Sequence, residues 1–291
     1  MDFEELTEAL REGKMPRIKA ALKSGRDAVL EKFRRGELSG PELIRALSDL
    51  TDRQVEIFAA HYLGAYKDDI ALVYTGGNGR REVYPCSDID LLVLRPDKLP
   101  EGLEEANTKF SNALTDAGFK NSGVCIRTAA ECKIRAKKDH TIWTSLIDRR
   151  YLWGERKLAS ALDKAMAGLR SAGGQYFEDK KKERETRLNK KGDSRYMLHP
   201  DIKEGKGGLR DYQTVLWIAG AVFGCGDLDC LVERGFLSLE EKRRIGEAHD
   251  FLITARSHLH ALLGRPEEVL AAEYLGDFIA SYNASRPGRE P

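Results

Sequence analysis

The sequence predicts an α+β fold: a small mixed β-sheet core between an N-terminal helical segment and a C-terminal helical domain. Three observations carry this. Apolar residues recur at spacings of three and four through residues 1–68, short β-branched runs bounded by Gly, Pro and Asp interleave with helical spacing over 69–154, and only helical spacing returns over 155–291. A chain of 291 residues with 41% hydrophobic content is long enough for about two domains with real cores.

In order, residues 16–33 place Ile18, Ala21, Leu22, Val29, Leu30 and Phe33 on one stripe among charges, the pattern of an amphipathic helix. Residues 36–40 break it. A second helix opens near Pro41 and carries Leu43, Ile44, Leu47, Leu50, Val55, Ile57, Phe58 and Leu63. Residues 70–74 and 89–94 read as strands, 101–117 as a helix, 124–128 as a third strand, and 146–152 hold a fourth candidate; no strand is expected beyond 154. The charged run at 178–195 is read as a solvated helix face, with a basic edge that attracts a triphosphate or an acidic partner as the other reading. A glycine-rich loop at 199–211 leads into an apolar helix over 212–223, residues 238–264 form another long amphipathic pattern, and 281–291 have the composition of a fraying end.

Charge and cysteine content exclude several classes. Lysine and arginine number 48 against 47 acidic residues, a net charge of +1, so nothing argues for nucleic-acid or membrane binding. Five scattered cysteines without a CxxC pair suggest a reduced protein with no cysteine-based metal site. The acidic N-terminus is unlike a secretory signal and no apolar run reaches membrane-spanning length, so a cytoplasmic location is expected.

The chemistry concentrates in residues 71–94. A strand ends at Gly76 and Gly77, and a second strand begins with Asp88 and Asp90, two apart and therefore on one face. Such carboxylates suit a hard cation such as Mg2+, which takes oxygen ligands from one or two carboxylates together with substrate phosphates. Gly76 and Gly77 would let the backbone approach the β- and γ-phosphates, and Arg80 and Arg81 could neutralise phosphate charge. Ser87 either donates its hydroxyl to a phosphate or caps the turn. The loop at 199–211 could present backbone N–H groups to an anion, but it is not a Walker A loop, because Gly207 follows Lys206.

G-G-N-G-R-R-E-V-Y-P-C-S-D-I-D-L-L-V-L at 76–94 resembles the signature of the [protein-PII] uridylyltransferase/uridylyl-removing enzyme family, within the nucleotidyltransferase superfamily. K-E-G-K-G-G-L-R-D-Y-Q-T-V-L-W-I-A at 203–219 is similar to a second stretch of that family, and the segments at 126–132, 144–154, 231–237 and 255–268 follow in family order. The resemblance implies a nucleotidyltransferase-fold domain followed by a helical domain. It also implies Mg2+ and UTP as requirements, and transfer of UMP to a tyrosine hydroxyl of the trimeric signalling protein PII, with loss of pyrophosphate. Gly76, Gly77, Asp88, Asp90 and Arg80 carry over by position. So do Lys203, Lys206 and Arg210 of the second stretch, as nucleotide contacts or as a domain joint. Two positions depart: Asn78 stands where the family usually has tyrosine and Arg81 where it usually has glycine. A third carboxylate is not evident in 123–128, Glu131 being the nearest.

The family continues with a hydrolase domain of the HD type and paired ACT domains. Neither fits here, and His249-Asp250 reads as part of a helix, so removal of UMP and glutamine sensing are expected to be absent from this chain. Two other functions compete: a catalytically weak domain that binds nucleotide or PII and regulates, and a nucleotidyltransferase for another hydroxyl acceptor.

Overall fold

The computed structural model describes residues 3–191 and 199–284. Its elements are α1 (Phe3–Arg11), α2 (Met15–Arg34), α3 (Gly40–Tyr62), β1 (Ala71–Tyr74), α4 (Gly76–Gly79), β2 (Ile89–Leu94), α5 (Leu103–Ala117) and β3 (Asn121–Arg127). They continue with α6 (Ala129–Lys138), α7 (His140–Ile147), β4 (Arg150–Gly154), α8 (Arg156–Ala167), α9 (Gly173–Lys191), α10 (Leu209–Phe223), α11 (Leu228–Glu233), α12 (Leu239–Leu263) and α13 (Ala272–Ala284). The fold is α+β, as the periodicity predicts. Residues 192–195 of the charged run and the end at 285–291 lie outside the described residues.

The chain divides into two compact units, one of residues 1–31, 44–83 and 87–167 and the other of 32–43, 84–86 and 168–291. In the first, four strands run in the order β3-β2-β1-β4, with β1 antiparallel to β2 and β4, and β2 parallel to β3. Alternation sends Ile89, Leu91 and Val93 into one apolar core, where they meet Leu72 and Tyr74 of β1, Leu6 of α1, Phe58 of α3 and Phe110 of α5. That core therefore joins the N-terminal helices to the sheet. The opposite face carries Asp90, and Leu92 on the same face pairs with Val73 on one side and Cys125 on the other. Leu92 and Leu94 on that face are buried as well, so Asp90 is the one half-buried position of an otherwise buried strand.

The turn after β1 is a single helical turn, α4. The fourth strand begins at Arg150, later than the apolar signal at 146–152, because Leu146 and Ile147 close α7. Thr128 and Glu131 form a reciprocal cap at the start of α6, with Thr128 N–H donating to Glu131 Oε2 at 2.7 Å and Glu131 N–H to Thr128 Oγ1 at 3.0 Å.

In the second unit the charged face of α9 is only partly solvated. Lys180 is 2% exposed, donates to Glu183 at 2.6 Å and lies 4.6 Å from the Trp217 ring centre, while Arg184 and Arg187 both pair with Asp211. Cys225 and Cys230 form a disulfide, correcting the reading of scattered reduced thiols: the chain reverses between α10 and α11, bringing their Cα atoms to 5.4 Å. An isolated bridge between Asp201 and Val269 adds a trace of strand beyond residue 154. Among the described residues no helix is long and apolar enough to cross a membrane.

Candidate active site

The site is built on the Gly76–Gly79 turn and the start of β2. Thr75 N–H donates to Asp90 O at 3.1 Å, and Asp90 N–H donates to Asn78 Oδ1 at 3.3 Å, so the turn is bonded to the strand from both sides. Gly76 has φ +56°, and a Cβ there would sit 3.1 Å from Asp90 Oδ2. The missing side chain leaves the space beside this carboxylate. Asp90 is half-buried on β2, whereas Asp88 precedes the strand and is exposed; part-buried Ser87 is next to it. Two carboxylates, one exposed and one anchored, beside two adjacent glycines fit a hard divalent cation and a phosphate chain.

Arg80 turns toward protein carboxylates. Its guanidinium donates to Glu82 at 2.9 Å and also to Asp148. Burial opposes its charge, but Glu82 and Asp148 outweigh it and raise its pKa. Gly79 explains the tight fit, since a Cβ there would fall 1.5 Å from Asp148 O. A phosphate role for Arg80 requires one of these pairs to loosen. Glu131 is occupied as the α6 cap and by Arg95 at 2.9 Å, and residues 124–128 contain no carboxylate. Among the described residues no group of three His, Cys, Asp or Glu side chains is placed to hold a metal.

Arg81 is the one non-glycine residue with positive φ, +61°, among the described residues. Its side chain leaves the turn to pair with Asp49, and with Asp52 at 3.8 Å. The left-handed backbone is thus kept despite the side chain, at a cost of about 1 kcal/mol. Arg81→Gly is expected to raise stability by up to about 1 kcal/mol, because the exposed pair it loses is worth little. Urea titration of the two proteins measures this, and a loss exceeding that amount would assign real weight to the pair with Asp49.

In the second unit the loop before α10 is closed on itself. A Cβ on Gly205 would lie 2.5 Å from Asp201 O, and one on Gly208 2.7 Å from Ile202 O. The N–H groups of Gly208, Leu209, Arg210 and Asp211 donate to the carbonyls of Gly205, Ile202, Lys203 and Gly208, and Gly207 N–H donates to Asp211 Oδ2. These donors are therefore spent within the loop, correcting the expectation of an open anion cradle. Arg210 donates to Glu204 at 2.9 Å and to Gln213 at 3.1 Å, Lys203 stands 3.8 Å from Glu268, and Lys206 is exposed. Burial first, then Arg256, lowers the Lys203 pKa.

His260, 1% exposed, faces Glu268 at 3.9 Å and the Tyr84 ring, with Arg256 and Lys203 nearby. Burial, and then Arg256, lowers its pKa to about 4. The unfolded chain takes up this proton near pH 6.5 and the folded chain only near 4, so stability falls as pH drops through that window and then levels off. The loss is roughly 3 kcal/mol. His260→Leu is expected to flatten this part of the stability-pH curve, measured by urea titration at stepped pH; an unchanged slope would place the effect elsewhere.

A model of the GlnD PII-uridylyltransferase family matches residues 175–288. The chain is 39% identical over 266 residues to a bifunctional uridylyltransferase/uridylyl-removing enzyme of Rhodospirillum rubrum, covering 87% of this chain and 28% of that protein. The same description belongs to proteins of Azospirillum brasilense (38% identity, 89% and 29% covered) and Caulobacter vibrioides (38%, 87% and 28%). The chain belongs to this family. It corresponds to the N-terminal part of the uridylyltransferases and spans less than a third of the length of these relatives.

Within the uridylyltransferase frame, the structure brings Gly76, Gly77 and Asp90 together in the first unit. Asp88 and Ser87 adjoin them along the chain, and Lys203, Lys206 and Arg210 lie in the second unit. Missed by sequence reasoning were Asn78 as a partner of Asp90, and Asp148 and Arg150 as partners of the turn. Only the departure at Asn78 from the family pattern pointed to any of them.

Proposed function

We propose that this chain is the nucleotidyltransferase module of a PII uridylyltransferase, moving UMP from UTP to a tyrosine hydroxyl of a PII-type protein. The tyrosine oxygen attacks the α-phosphorus, the bond from that phosphorus to the bridging oxygen breaks, pyrophosphate leaves and the phenolic proton passes to water. The observation that carries the proposal is the Gly76-Gly77 turn packed beside Asp90, with Asp88 two residues away. Asp88 and Asp90 would hold Mg2+, which when bound supplies positive charge against the triphosphate and polarises the α-phosphate. Gly76 and Gly77 let the phosphates approach the backbone, and Ser87 can donate a hydroxyl to them. Catalysis then rests on positioning, as in other phosphoryl-type transfers.

Arg81, standing where the family usually has glycine, is the departure that argues for a regulatory domain without turnover. Its side chain leads to Asp49 and its backbone keeps the left-handed turn, which supports an intact phosphate loop. Lys203 and Arg210, both in ion pairs, are assigned to holding the loop before α10 in place. Incubation with labelled UTP, Mg2+ and PII tests the reading: label is expected on PII and absent from PII in which the acceptor tyrosine is phenylalanine. UTP binding without labelling would support the regulatory domain, and labelling of another hydroxyl compound a different acceptor.

A further inference from the structure

A chain of contacts fixes the turn and Asp90 from behind, and it begins far away in sequence. Asp52 of α3 accepts two hydrogen bonds from Arg150, Nη1 to Oδ2 at 2.7 Å and Nη2 to Oδ1 at 2.8 Å, the fork geometry that holds a guanidinium in one plane. The same guanidinium lies 5.1 Å from the Tyr74 ring centre at the end of β1. It donates to Asn78 O from Nη2 at 3.0 Å and from Nε at 3.3 Å. Asn78, 3% exposed, then accepts the Asp90 N–H on its own side-chain oxygen.

We infer that Arg150 and Asn78 are positioning residues for Asp90, an inference that rests on the proposed metal role of that carboxylate. Arg150 locks the peptide of Asn78, and Asn78 locks the backbone of Asp90, so the carboxylate is presented beside Gly76 in one orientation. Each acts on the site through Asp90, and groups that orient a metal ligand in this way typically set metal affinity by about 10- to 100-fold. Asn78 also gives its position a purpose of its own, since a side-chain amide oxygen reaches the strand N–H directly.

The test is Mn2+ binding in the presence of a non-hydrolysable UTP analogue, followed by the electron paramagnetic resonance of free Mn2+, beside circular dichroism as the check on folding. Wild type is compared with Asn78→Ala, with Arg150→Ala, and with the double variant Asp52→Asn, Arg150→Gln, which removes both charges and so leaves no lone charge half-buried. Asp88→Asn, Asp90→Asn is the reference for loss of the site. Folded Asn78→Ala and the double charge variant are expected to bind Mn2+ roughly tenfold more weakly, with kcat falling more than the KM for UTP. Binding within twofold of wild type in both overturns the positioning role while leaving the metal site in place. Equal Mn2+ binding by wild type and by the Asp88, Asp90 variant overturns the metal reading itself, and the inference with it.

Discussion

Replacing Gly79 with alanine is expected to destabilise the first unit by more than about 3 kcal/mol, the upper range for forcing atoms into a filled space. The Cβ would be built 1.5 Å from Asp148 O, and the obstacle is backbone, so no side-chain rotation relieves it. The turn or the end of α7 must move, and either movement strains the buried pair between Arg80 and Asp148. A fall in melting temperature of roughly 6–12 °C follows for a unit of this size. Gly77 provides the contrast. A Cβ there meets only Glu82 O at 3.5 Å, an ordinary contact, so Gly77→Ala is expected to keep its melting temperature within about 2 °C. If the phosphates approach this turn, Gly77→Ala loses transfer activity while remaining folded. A calorimetric scan and an activity assay on both variants separate packing from function, and equal stability of the two would contradict the assignment of Gly79 to packing.

The double substitution Asp88→Asn, Asp90→Asn is expected to lower UMP transfer by at least roughly a thousandfold, equivalent to about 4 kcal/mol of transition-state stabilisation. Asparagine keeps size and shape but removes the negative charges that would hold the cation, and Asp90 N–H keeps its bond to Asn78 because that bond uses the backbone. Circular dichroism should therefore be unchanged. Loss of activity by unfolding would show as a changed spectrum, and activity within tenfold of wild type would remove these carboxylates from the mechanism.

Much of this was legible because it is local. The apolar runs at 70–74 and 89–94 coincide with β1 and β2 to within a residue, since a strand buried between neighbours announces itself by β-branched residues and flanking Gly and Asp. The spacing of Asp88 and Asp90 suggests one strand face, but β2 begins at Ile89, so Asp90 lies on the strand and Asp88 precedes it. The fourth strand was less distinct, because Leu146 and Ile147 satisfy a helix and a strand equally well until α7 and β4 divide them. Contacts distant in sequence left no trace: Asp52 meets Arg150 across 98 residues, and Arg80 meets Asp148 across 68. Neither pair has a periodic or compositional signal. The glycines at 205–208 marked a tight loop, yet a loop closed on its own carbonyls and one open to an anion share the same composition. Only the placement of Asp201 O and Ile202 O against Gly205 and Gly208 separated them.

The central claim is a UMP-transferring site at the turn and Asp90, and the most direct measurement is the fate of label in UTP. Given Mg2+ and PII, UTP labelled at the α-phosphate is expected to label PII one-for-one with pyrophosphate released, and UTP labelled at the γ-phosphate is expected to leave its label entirely in pyrophosphate. γ-Label on PII, or no label from either substrate under conditions where UTP binds, would contradict the account.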